Sequence, residues 1–228
     1  MNKIIVAGIP ITVVRKRMKN MYMRIKADGS VTISAPSRAS DQAVQAFAAS
    51  QESWLEKHMK ALAEKPVKAE RQFLSGEIHY LWGRPYSLEV SAGAHNAVTV
   101  TADKIILRVK GRTTREEREA LLNEWYRSCL AQAIPPVLAR CEARMGVYAS
   151  EWRIKNMKTR WGTCNVLCRR IWFNLQLAKK TPDCLEYIVV HELTHLYERS
   201  HNAVFKAYMD RFYPDWRAVR KSLNQQPG

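Results

Sequence analysis

The run Ile188-Val189-Val190-His191-Glu192-Leu193-Thr194-His195-Leu196 constrains this chain more than any other stretch. Its two histidines stand four residues apart, and a glutamate follows the first. On an α-helix, positions i and i+4 share a face with Cβ atoms about 5–6 Å apart. Two imidazoles at that spacing can converge on one zinc ion, whose Zn–N distances are about 2.0–2.1 Å. Glu192 is turned about 100° around the axis from His191, so it can touch a water on the ion without displacing it. The pattern H-E-x-x-H therefore predicts a helix that carries a metal and a carboxylate general base. Leu185, Ile188, Val189 and Leu196 give this helix its buried side. Pro182 stands at its start, where a missing N–H costs little.

A catalytic zinc takes three protein ligands and keeps one position open. His201 lies six residues past His195. On a continuous helix it would be roughly 9 Å further along, so it reaches the ion only if the helix breaks first. Arg199-Ser200 offers that break, with Ser200 as the cap of a new helix. His201 is the favoured third ligand, and Glu198, Asp210 and Asp215 are its rivals. Arg160, Tyr187, Tyr197 and Tyr208 are candidates to stabilise a developing oxyanion. His58, His79 and His95 have no partner at ligand spacing and read as ordinary surface or sheet residues. Cys164 and Cys168 could clip a metal or form a redox pair, but two unpaired thiols in a turn are the simpler reading.

The rest of the chain predicts an α+β fold. Tyr22–Lys26 and Val31–Ser34 alternate around Asp28-Gly29, a strong hairpin signal. Ser40-Asp41 caps a helix to about Ala63, with Val44, Phe47, Trp54 and Leu55 in its core contacts. Residues 64–72 resemble a linker. Short strands follow at Glu77–Leu81, Tyr86–Val90, Ala97–Thr101 and Ile105–Val109. Thr114-Arg115-Glu116-Glu117 is a capping box that opens a long helix, kinked or restarted at Pro135-Pro136 and stopped at Gly146. Strands at Glu151–Met157 and Ile171–Leu177 precede the metal helix, and the second can pair with an extended substrate as an edge strand. Helices at Asn202–Phe212 and beyond Pro214-Asp215 close the chain. These elements divide into a mostly antiparallel β region with one inserted helix (1–110) and a helical domain with a small sheet (111–228). No internal repeat is evident.

At 228 residues and 46% hydrophobic, the chain can bury a sizeable core without staples. Its five cysteines are odd in number and lack a C-x-x-C, which favours reduced thiols and a cytoplasmic location. Gly8, Pro10 and the cluster Arg15-Lys16-Arg17 argue against a signal peptide in the apolar run Ile4–Val14. No stretch approaches the ~20 apolar residues of a membrane span. The formal charge is +16. Residues 11–27 and 152–182 are basic without an acid, a field that attracts nucleic acid, nucleotides or acidic surfaces.

Four ordered motifs add a resemblance. Arg160-Trp161-Gly162-Thr163-Cys164, Ile171-Trp172-Phe173-Asn174-Leu175, Tyr187 through Leu196, and His201-Asn202-x-x-Phe205 together resemble the YgjP-like (DUF45) metallopeptidase family. That family is related to the WLM and SprT-like zinc proteases, and the resemblance covers nearly the whole chain. It implies a zincin-like C-terminal domain, one Zn2+ per chain held by His191, His195 and His201, and Glu192 as catalytic residue. Thr163 and Asn165 stand where the family more often has serines, and Thr194 where it usually has alanine. The expected function is a zinc-dependent hydrolase, most simply a metallopeptidase in which Glu192 activates zinc-bound water. Arg160, Asn174 and Tyr208 are candidate substrate contacts. Two alternatives share the site. One is a nucleoside triphosphate pyrophosphohydrolase (for example of UTP), with Arg160 and Lys158 holding phosphates. The other is a SprT-like protease acting near nucleic acid. The expected partner is thus a peptide or a nucleotide, with nucleic acid on the basic surface and no membrane.

Overall fold

Asp28-Gly29 does turn a hairpin, in a computed structural model that describes residues 2–26, 28–63 and 71–225. The linker expected at 64–72 falls outside the described residues up to 70. The apolar run near the N-terminus forms two strands, β1 (Asn2–Val6) and β2 (Ile9–Lys16). They join through Ala7-Gly8, both at positive φ (50° and 74°). Such a two-residue turn matches the right-handed twist of the strands it connects. Strands β3 (Tyr22–Ile25) and β4 (Val31–Pro36) complete a sheet of order β1-β2-β4-β3, in which β2 and β4 run parallel. One face buries Ile11, Val13, Val31, Ile33 and Ala35 against Val44 and Ala48 of α1 (Asp41–Ser50) and Leu55 of α2 (Glu52–Ala63). The single helix expected here is two helices, parted at Gln51. Ser40 caps the first by accepting the Ala43 N–H at 3.1 Å. Trp54 lies outside this core, exposed, with its ring centroid 4.2 Å from that of His58.

A second sheet repeats the first. Strands β5 (Ile78–Leu81), β6 (Arg84–Ala92), β7 (Ala97–Val100) and β8 (Lys104–Val109) take the order β5-β6-β8-β7, with β6 and β8 parallel. Its first turn, Trp82-Gly83, has φ of 50° and 80°, and Pro85 follows that glycine as Pro10 follows Gly8. The sequences share little besides Gly-x-Pro and strand alternation, so the repeat lies in topology and is silent in composition.

Compact packing divides the chain into Met1–Glu70 and Arg71–Gly228. The boundary expected at 110 is displaced because β5–β8 do not pack as part of the first unit. Leu88, Ile105 and Leu107 share a core with α3 (Arg115–Met145) and the elements after it. That helix buries Leu122, Tyr126, Leu130, Ile134, Leu138, Cys141 and Met145, a stripe at helical spacing. Its capping box forms, and Gly146 ends it at φ 71°. It runs through Pro135 and Pro136 as one helix. Burial of Ile134 and Leu138 on either side offsets the lost backbone hydrogen bonds.

The third sheet, of order β10-β11-β9, comprises β9 (Glu151–Lys155), β10 (Gly162–Asn165) and β11 (Arg170–Asn174). Strand β11 therefore lies in the middle of its sheet and cannot take an extended substrate; the edges are β9 and β10. The chain leaves β11 through a 3-10 helix at Leu175–Lys179, not as a strand to Leu177. Helices α4 (Pro182–Thr194), α5 (Ala203–Phe212) and α6 (Trp216–Gln225) finish the fold. The class is α+β, and each sheet is mixed, with one parallel pairing. Among the described residues, no helix is long and apolar enough to cross a membrane.

Candidate metal centre and cleft

Helix α4 is sunk into the second unit: Leu185, Ile188, Val189, Val190 and Leu193 are buried along it. Thr194 is fully buried as well. Its hydroxyl donates to the Val190 carbonyl at 2.7 Å, so this position takes a polar side chain without leaving it unsatisfied. The same helix carries His191 and Glu192. It ends at Thr194, with His195 as its C-cap residue. The N–H groups of Leu196 and Tyr197 then turn back onto the Leu193 and Thr194 carbonyls, each at 3.0 Å. The Glu198 carboxylate accepts the Ser200 N–H at 2.8 Å, and Asn202 caps α5 by accepting the Phe205 N–H at 3.0 Å. The cap is thus Asn202, two residues beyond the expected Ser200.

At this corner His201 folds back, placing its Nε2 3.0 Å from Nε2 of His191. One ligand atom from each of His191, His195 and His201 lies within 4.8 Å of the other two. Phe205 packs beneath all three rings, with centroids 5.0, 4.9 and 4.7 Å away. The Glu198 carbonyl lies 3.2 Å from Nδ1 of His195. A carbonyl only accepts, so this contact keeps the proton on Nδ1 and leaves Nε2 free as a donor to a metal. Burial, with the neighbouring His195, His201 and Arg220, holds His191 down at about 3; burial also lowers His195. Both stay neutral near pH 7, the form that ligates metal.

Glu192 is 3% exposed, and Oε2 of its carboxylate has no hydrogen-bond partner among the described residues. Burial pushes it up to about 8, while the Arg160 charge opposes the rise. Gly162 makes room for it: a Cβ there would lie 2.5 Å from Oε1. Three imidazole donors beside one unpartnered buried carboxylate oxygen fit a metal with an open position.

A cleft of about 1070 Å³ opens over these residues, lined by β10, α4, α5 and α6. Arg160 and Tyr187 line it. Tyr197 and Tyr208 do not: Tyr197 donates its hydroxyl to the Met145 carbonyl, and Tyr208 stacks on it at 4.6 Å. Asn174 is 4% exposed and also lies outside the cleft. Its amide donates to the carbonyls of Met157 (2.8 Å) and Arg160 (2.6 Å), and its Oδ1 accepts from Gln176 at 3.1 Å. It shapes the loop that carries Arg160, and no lone pair or N–H is left to meet a substrate. The rival ligands are likewise engaged. Asp210 accepts from Trp216 and Arg217, and neither Asp210 nor Asp215 lines the cleft. All five cysteines are free thiols; burial pushes Cys164, in the cleft wall, up to about 11. Lys179 and Lys180, part of the basic stretch 152–182, are buried. Sequence reasoning missed Gly162, β10 and Arg220. Only the glycine within Arg-Trp-Gly-Thr signalled the first.

The family model described as YgjP-like, metallopeptidase domain, matches residues 19–226. The chain belongs to this family. Membership implies a catalytic metal, in keeping with the three-histidine group, and a peptide substrate. Nothing in the match supports a nucleotide or a nucleic acid as partner. No curated protein matches the chain significantly. Among solved structures, two metallopeptidase zymogens are similar to parts of this YgjP-like chain. Abylysin of Pyrococcus abyssi is 18% identical, covering 42% of this chain and 97% of its own, with a TM-score of 0.37. Jannalysin of Methanocaldococcus jannaschii is 18% identical, covering 40% and 94%, with a TM-score of 0.36.

Proposed function

We propose that this YgjP-like chain is a zinc-dependent peptidase in which His191, His195 and His201 hold the ion and Glu192 is the general base. One observation carries this reading. A buried carboxylate oxygen without a partner sits beside three imidazoles that converge from a helix and the corner after it. Three nitrogen donors favour zinc over the oxygen-seeking cations. When bound, zinc supplies a Lewis acid that polarises a carbonyl and lowers the pKa of water toward ~7.

The chain's own groups do the rest. Glu192 takes a proton from the attacking water, its carboxylate seated in the space that Gly162 leaves open. It then delivers that proton to the leaving amine. Arg160 and Tyr187 border the reaction site, and burial keeps the Tyr187 phenol protonated as a donor to the developing oxyanion. The free edge of β10 pairs with the backbone of an extended peptide, replacing the role first expected of Ile171–Leu177.

Glu192→Gln tests the base directly. Zinc should remain at one per chain by elemental analysis, while peptide hydrolysis falls by roughly 10²–10⁴. Unchanged hydrolysis would remove Glu192 from the mechanism. Nucleoside triphosphates, UTP among them, and DNA retention belong in the same panel, and both should give no response.

A further inference from the structure

The cleft draws its cations from four separate segments. Arg160 precedes β10, Arg199 lies in the corner between α4 and α5, Lys206 is on α5 and Arg220 is on α6. All four are exposed, and among the described residues none is ion-paired with an aspartate or glutamate. Elsewhere in this unit pairing is common. Arg217, on the same helix as Arg220, pairs with Asp210; Arg144 pairs with Glu186; Arg153 and Arg170 share Glu151. Among the described residues, Glu192 is the one acid that lines the cleft, and it is buried. Glu198, at the corner, turns its carboxylate onto a backbone N–H.

These charges border the reaction centre: Arg160 and Arg220 line the same cleft as His191, Glu192 and Tyr187. A concave wall of one sign concentrates its field and draws in the opposite charge. Four unpaired cations around one cleft also repel each other, and an anion between them relieves that repulsion. The edge of β10 alongside supplies backbone groups for an extended chain.

We propose that the cleft selects acidic peptides, with Arg160, Arg199, Lys206 and Arg220 holding aspartate or glutamate side chains on the residues that flank the bond to be cut. This selectivity rests on the peptidase reading above, and the test separates the two. Two peptides that differ only in Glu against Gln beside the scissile bond are offered to the zinc-loaded, full-length protein. The Glu peptide should show kcat/KM about tenfold higher at low salt, the size expected of one or two charge contacts near a surface. The advantage should shrink to about twofold at ~1 M salt, where the Debye length is about 3 Å. Arg220→Glu and Lys206→Glu should each cut the Glu/Gln ratio by about fivefold. Arg211→Gln, an exposed arginine outside the cleft, should leave that ratio as it is. Anisotropy of the labelled peptides on zinc-loaded Glu192→Gln protein should give the same preference in Kd. Equal rates and equal Kd for the two peptides overturn the selectivity and leave the peptidase standing. A ratio untouched by both charge reversals overturns the assignment to these cations. Cleavage of neither peptide by protein carrying one zinc per chain overturns selectivity and peptidase together.

Discussion

Gly162 shows how one missing side chain sets the position of another. The space a methyl group would fill there is taken by the Glu192 carboxylate. Gly162→Ala should therefore displace that carboxylate, lowering kcat about 10²-fold while leaving zinc stoichiometry unchanged, as elemental analysis beside steady-state kinetics would reveal. His79 makes a different point. Its spacing marked it as an ordinary sheet residue, and it is one, but it is fully buried between Glu77 and Arg71. Burial lowers it to about 4, with the charges of Arg71 and Lys179 adding to the effect. The unfolded chain takes up this proton near pH 6.5 and the folded chain only near pH 4. Stability is thus unaffected above pH 6.5 and falls as the pH drops from there toward 4. The urea midpoint should decline between pH 7 and pH 5, and less steeply in His79→Gln; parallel declines would exclude His79 as the cause.

Elements decide which of the legible residues meet. The two helical histidines could be paired from spacing alone, because α-helix geometry is fixed. The third needed a corner, and the corner is built from the Glu198 and Asn202 side chains holding backbone N–H groups. Asn202→Ala should destabilise α5 by about 1 kcal/mol. It should also weaken zinc roughly tenfold in chelator competition, since His201 sits one residue before the cap. A variant with native zinc affinity would show that the corner is held by packing instead, through Phe205. The unbroken helix through Pro135-Pro136 and the central place of β11 have a common cause. Local propensity weighs a residue against its chain neighbours, whereas a buried stripe and a sheet order are set by partners far along the sequence.

On the scale of the molecule, every residue of the site lies after position 70, in the unit with its own continuous core. A fragment comprising residues 71–228 should therefore unfold cooperatively and bind one zinc per chain, measurable by calorimetry and elemental analysis. A fragment that fails to bind would mean that residues 1–70 contribute to the site. The first unit has a separate core and the same sheet order as β5–β8. That likeness could not be seen in residues, because alternation and a glycine turn are shared by many unrelated sheets.

The amino-acid sequence by itself determined the metal helix, its two histidines and the glutamate between them, the hairpin at Asp28-Gly29, and both ends of the long helix. These depend on helical periodicity, turn stereochemistry and capping, which act over a few residues. Tertiary structure alone decided that Asn174 and Tyr208 stay out of the cleft, that the edge strand beside it is β10, and that four cations gather there without an ion-pair partner. Those outcomes follow from which distant segments are buried together, and burial has no fixed spacing along a chain.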